Sequence, residues 1–227
     1  MGRLISYAKF LKKIDIMRFF RLNYMCKNVI RMDKSKIIPY KHSVIELDHG
    51  AKIYLSGGDI EIGCSSLKKI NEETKIRIAK NSIWSSTGGC KISYGSTIEV
   101  LKNAIFETGY FTMNSNSVIV SDNRISLGND VMISRNVVIY DSDFHSILDD
   151  GDRCINKSEK VVIEDHVWLA ANVTVLKGAY IGEGSIIGAN TIVTENVPEQ
   201  CILQNICTKK IKKLEGKWDR KKPEKME

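Results

Sequence analysis

An all-β stack of short strands is the fold this sequence predicts, and three observations predict it. An aliphatic residue returns at every sixth position from Ile163 to Val193, through Leu169, Val175, Ile181 and Ile187. Four places after each stands a small or β-branched residue: Val167, Val173, Ala179, Ser185, Thr191 and Val197. A six-residue period fits neither a helix nor a simple strand, so it marks a repeat in which short strands and tight turns alternate. Between the strands fall turn-tolerant pairs, Asn129-Asp130, Glu164-Asp165, Glu183-Gly184 and Ala189-Asn190, where a corner needs them. Three hexads then make one turn of a triangular coil, and coils stack at the inter-strand spacing of ~4.8 Å.

The elements follow in chain order. Residues 3–25 place Leu4, Phe10, Leu11, Ile14, Met17, Phe20 and Leu22 among basic residues at roughly helical spacing, which predicts one or two short amphipathic helices. They either cap the open end of the stack, the preferred reading, or lie on a membrane surface. Residues 1–43 are therefore assigned to an N-terminal helical extension and 44–205 to the repeat domain. Short β segments begin at Val44–Leu47, Lys52–Leu55 and Ile60–Ile62, with a polar loop at Ser65–Thr74. Hexads become visible at Ile92 and Ile98, lose phase near Phe106–Asn116, and return at Leu127, Ile133 and Ile139. The ladder then breaks at Tyr140-Asp-Ser-Asp-Phe-His145 and resumes at Ile163, so residues of about 142–160 form a loop projecting from the coil. After Pro198 the stack ends, and 206–227 read as a short basic C-terminal segment.

Composition narrows the function classes. The net charge is +7, with the excess at the two ends of the chain. Such clusters attract a phosphate-bearing ligand, nucleic acid or an anionic membrane, or simply keep the ends solvated. None of the six cysteines forms a CxxC pair, which leaves zinc and redox motifs unsupported. No continuous apolar core suits a signal peptide or a bilayer span, so a cytoplasmic protein with reduced thiols is expected. A location at the inner face of the membrane is the second option.

His145 leads the candidates for chemistry. A neutral imidazole is a suitable base for a hydroxyl, and Asp143 or Asp141 stands close enough in sequence to orient it. Alternation turns only one of the two toward the ring, and a surface histidine among turn-forming aspartates is the competing reading. His166 falls at a corner, where exposure into a turn is expected. No spacing supplies three convergent metal ligands, and no metal is expected. Trp168, in His166-Val-Trp-Leu-Ala-Ala171, is either a core or interface aromatic or the wall of a ligand channel.

The hexad ladder, the loop opening at His145, and Val167-Trp168-Leu169-Ala170 followed by Leu176-Lys177-Gly178 resemble the hexapeptide-repeat acyltransferases. The Tyr140–His145 motif is most similar to their capsular and cell-surface polysaccharide O-acetyltransferase branch. The resemblance implies a left-handed parallel β-helix, a homotrimer, and sites in the clefts between neighbouring subunits. It implies acetyl-CoA as donor, a saccharide acceptor and no nucleic-acid partner, with His145 as general base and Asp143 as its catalytic neighbour. It also implies that the Ala171 N–H faces the oxyanion, that Asn114 and Asp122 meet the acceptor, and that Trp168, Ala170, Ala189, Thr194, Lys209 and Lys212 line the CoA path. Three departures stand out: Glu195 where Lys or Arg is frequent, and Ser134 and Ala170 where Gly is. A sugar N-acetyltransferase and a β-helical assembly protein without activity are the alternatives.

Overall fold

A computed structural model describes residues 12–65, 71–205 and 217–218. Its coil strands form three parallel sheets, two of eight strands and one of seven; leaving out the loop strand Ile147–Leu148, each interior strand pairs with the third one before and after it. That order is the signature of a coil that visits three faces in turn, a left-handed parallel β-helix of hexapeptide repeats. Sheet one runs from Val29–Arg31 to Asn196–Val197, sheet two from Ile37–Pro39 to Ile202–Leu203, and sheet three from Ser43–Leu47 to Ile192–Val193.

The hexad phase maps directly onto burial. Ile163, Leu169, Val175, Ile181, Ile187 and Val193 all point inward and are almost wholly buried, as are the companions from Val167 to Val197. Where a companion is polar it serves the corner: Ser185 Oγ donates to Pro198 O at 2.8 Å and accepts from Cys201 N at 3.1 Å. The apparent loss of phase near Phe106–Asn116 has a physical origin. Coils there are longer and filled by Trp84, Phe106 and Phe111, with ring centroids 5.5 and 6.3 Å apart. Strand register nevertheless holds, with Ile83 opposite Ile105 and Ile105 opposite Arg124.

Corners adopt positive φ. Between sheets two and three this falls to Asn116, Asn136, Asn172 and Asn190 in successive coils. Their amides form a ladder: Asn136 Nδ2 donates to Asn172 Oδ1 at 3.1 Å, and Asn172 Nδ2 to Asn190 Oδ1 at 3.0 Å. Asparagine suits this position because it tolerates the left-handed region and its side chain bonds along the stack.

The stack begins earlier than the sequence implied. Val29–Arg31 and Ile37–Pro39 already pair in sheets one and two, so the boundary at 44 moves toward the N-terminus. The described part of the helical extension is the helix Ile16–Phe20 and a π-helical turn Arg21–Met25. Leu22 packs into the core, and Asn23 Nδ2 donates to Ile37 O at 2.7 Å while its Oδ1 accepts from Ile37 N at 3.0 Å. The extension thus caps the first coil on this side. Residues 3–11, 66–70 and 206–216, which carry parts of the expected helices, loop and basic segment, lie outside the described residues.

Replacing Asn172 separates backbone from ladder. Asn172→Ala should cost about 1–2 kcal/mol, because a Cβ at positive φ is strained and two amide bonds are lost, whereas Asn172→Gly relieves the strain. Denaturant melts that show alanine no worse than glycine would reject this account.

Candidate functional site

The loop between Tyr140 and Val161 leaves the coil at the corner joining sheet three to sheet one. Asp141, at its root, is fully buried. Its Oδ1 accepts from Asp122 N at 2.6 Å, and its Oδ2 from Asn123 N and Ser121 Oγ, both at 2.9 Å. This carboxylate staples the loop to the preceding coil, so of the two aspartates proposed to orient His145 it is Asp141 that faces into the stack. Burial pushes its pKa up, against those three donors.

Asp143 has a different fate. Its Oδ2 accepts from Lys177 Nζ at 2.6 Å and from Asn156 Nδ2 at 2.7 Å. Lys177 Nζ also donates to Asn156 O at 3.1 Å. Asn156 is buried and joins both limbs of the loop: Nδ2 donates to His145 O at 2.8 Å, and Oδ1 accepts from Ile147 N at 2.6 Å. Phe144, at φ 59°, makes the sharp turn that presents His145 outward, where the ring is exposed. The backbone pairing Ile147↔Trp218 and Leu148↔Lys217 lays the C-terminal residues along the same loop. His145 is therefore an exposed ring on a clamped backbone.

Sequence reasoning missed Lys177 and Asn156 as the residues that make the clamp. Lys177 had been noted only as part of a motif, and nothing local marks Asn156. Asp122, expected to meet the acceptor, is almost wholly buried, and its Oδ2 accepts from Ser158 Oγ at 3.0 Å, which places it at the foundation of the loop.

The second group of expected site residues lies at the corner joining sheets two and three. Asn114 is exposed there, and Ser134, Ala170 and Gly188 follow in register. Trp168 is 43% exposed, so it is not a core aromatic, and its Nε1–H donates to Ser134 Oγ at 3.1 Å. The Ser134 hydroxyl thus fixes the indole. Ala170 N is committed to Ile187 O at 2.9 Å, while Ala171 accepts at its carbonyl from Asn190 N at 3.0 Å and its N–H has no acceptor among the described residues. Ala189 is exposed one coil further along. Thr194, also exposed, follows the strand Ile192–Val193 and so lies at the other edge of sheet three. Lys209 and Lys212 lie outside the described residues.

Sheet three thus separates the two groups, with His145 at one edge and Trp168 and Ala171 at the other. His166 sits at a third corner, at φ 56°, its Nδ1 2.6 Å from Asp130 Oδ2. Among the described residues no three His, Cys, Asp or Glu side chains converge as a metal site would require. Burial raises the thiol pKa of Cys64 and Cys90, which makes neither a nucleophile.

Comparison with known proteins agrees with this architecture. Residues 160–195 match the family described as bacterial transferase hexapeptide (six repeats). That stretch carries the six-residue repeat of the family. It is 41% identical over 102 residues to the galactoside O-acetyltransferase of Lactococcus lactis subsp. lactis, a match covering 44% of this chain and 48% of that one. It is 32% identical over 127 residues to the polysialic acid O-acetyltransferase of Escherichia coli O1:K1, covering 56% and 39%. The crystal structure of the polySia specific acetyltransferase NeuO overlays with a TM-score of 0.47 at 24% identity, covering 83% of this chain and 87% of that one. The chain spans about half the length of the curated relatives it matches.

Two variants test the loop. Asn156→Ala leaves the Ile147 N–H and the Asp143 carboxylate each without one partner, so it should cost about 1–3 kcal/mol and speed amide exchange across 142–160. Unchanged exchange would show that the clamp holds nothing. For Asp141, a raised folded-state pKa means that the folded chain binds the proton more tightly than the unfolded one. Its contribution is full below the ordinary carboxylate pKa and is lost as pH rises through the folded value. The stability of Asp141→Asn relative to the parent should accordingly improve as pH rises through that window, and a difference independent of pH would contradict the assignment.

Proposed function

We propose that this protein is an acetyl-CoA-dependent O-acetyltransferase that transfers an acetyl group to a sugar hydroxyl of a cell-surface polysaccharide or its precursor. The observation that carries the reading is the exposed imidazole of His145, held on the one clamped loop that interrupts the ladder between Leu127 and Val197. Relatives named as galactoside and polysialic acid O-acetyltransferases support the same chemistry.

In this reading the His145 ring accepts the proton of the acceptor hydroxyl as the oxygen attacks the thioester carbonyl carbon. A C–O bond forms, the carbonyl electrons move onto oxygen, and the resulting oxyanion is met by the Ala171 N–H. Collapse breaks the C–S bond, and the CoA thiolate takes the proton back from the imidazolium. No acyl-enzyme is formed. The clamp fixes the backbone of His145 through Asn156, and Lys177 holds Asp143 in that clamp. A positioned base contributes about 10²–10⁴-fold.

The placement of the two groups on opposite edges of sheet three favours a site completed between copies of the chain. One subunit would supply His145 and its neighbour Trp168, Ala170 and Ala171, which is the cleft of a homotrimer. Trp168 then offers an indole wall beside the thioester end of the donor, with Ala170 and Ala189 leaving room for the pantetheine arm and Thr194 near it. Asn114 is an exposed amide available to the acceptor. Lys209 and Lys212 would counter the CoA phosphates.

The test is release of CoA thiol across a panel of sugars, oligosaccharides and nucleotide sugars. We expect His145→Ala to lower turnover by about 10²–10⁴-fold with an unchanged melting temperature. Full activity in that variant removes the mechanism, and failure of every saccharide acceptor removes the function.

A further inference from the structure

We propose that the outward face of the N-terminal cap is a docking surface for an anionic lipid bilayer. This goes beyond the acyl-transfer reading and does not rest on it. The cap has two faces with different work. Leu22 and Asn23 are spent on the first coil, but Met17 and Met25 are 85% and 77% exposed, and Ile16, Phe20 and Tyr24 of the same ten residues are exposed as well. A soluble protein seldom gathers so many large apolar side chains on so short a stretch without a partner for them.

The charges around this patch specify the partner. Residues 12–36 carry eight lysines and arginines against two aspartates. The two aspartates offset only part of this charge: Asp15 Oδ1 accepts from Arg18 N at 3.0 Å and its Oδ2 lies 3.5 Å from Arg18 Nη1, while the two oxygens of Asp33 accept from Ser35 N and Gly57 N, each at 2.8 Å. Eight cations against two anions still leave the segment strongly positive. Arg31 and Lys36 lie 5.7 and 5.1 Å from the centroid of the Tyr24 ring. An aromatic ring with cations at its face, beside protruding Met and Phe, matches the depth profile of a bilayer interface, where apolar tips enter, rings sit at the headgroups and cations meet phosphates. A protein partner of ordinary surface charge would leave most of these cations unmatched.

The experiment is co-sedimentation of the full chain with vesicles of phosphatidylcholine alone or mixed with phosphatidylglycerol. Two variants are compared: Met17→Ser with Phe20→Ser and Met25→Ser, and Arg18→Gln with Arg21→Gln. We expect binding to the mixed vesicles only, its loss at high salt, and at least about a tenfold weaker partition in each variant. Thiol release with a soluble acceptor should be unchanged in both, because none of the five residues lies at either edge of sheet three. Absence of binding by the parent chain, or equal binding by both variants, overturns the proposal. So does an apolar variant that sediments as a smaller species than the parent, since the patch would then belong to a second copy of the chain. Should a variant fail to fold, salt and lipid dependence of the parent decide the question alone.

Discussion

Everything functional in this chain hangs on the register of one backbone ladder. A single coil cannot bury its inward column alone; Leu169 is covered only because Ile133 lies before it and Ile187 after it. The same register sets the outward residues, so Met132, Trp168 and Ile186 form a column. A slip of one residue would exchange the two sets and place Trp168 inside. Function can therefore be added where the ladder is indifferent, at corners and along the outward column.

The His145 loop obeys that constraint. Asn136 and Asn172 occupy the same corner 36 residues apart, whereas Asn172 and Asn190 are 18 apart. The insertion returns the chain to the corner it left, one whole coil later in sequence, and the hexad phase survives it. Asp141 ties the loop to the coil before, and Lys177 to the coil after. A long polar excursion thereby acquires the rigidity of the scaffold, which a base needs if its ring is to meet one hydroxyl rather than many.

That dependence explains what could be read in the sequence and what could not. The repeat was legible because burial is periodic, and His145 because it stands where the period stops. Asn156 and Lys177 were not, since their roles arise from bonds spanning 13 and 34 residues and no local pattern encodes those. Strands at Val29–Arg31 and Ile37–Pro39 escaped because the early coils have unequal corners, so alternation persists while the six-residue phase does not. Asp122 entered by resemblance as a residue near the acceptor, and no local pattern showed that the loop would cover it. Its burial follows from Ser158 closing over it.

The two ends of the stack pose a problem that the middle does not, for a terminal coil has unpaired edges and an uncovered core. At the N-terminal end the answer is a helix that contributes few buried side chains. Leu22 fills the opening, and Asn23 bonds both the N–H and the C=O of Ile37, so one leucine and one amide close the first coil. Had capping been the whole task, the remaining positions of Ile16–Met25 would be free to become polar. Six of those eight are instead Ile16, Met17, Phe19, Phe20, Tyr24 and Met25, and the other two are Arg18 and Arg21. Side chains of that kind cost solubility in water and contribute little to the coil beneath, so a second demand must set their identity, and it acts on the face that the cap leaves open.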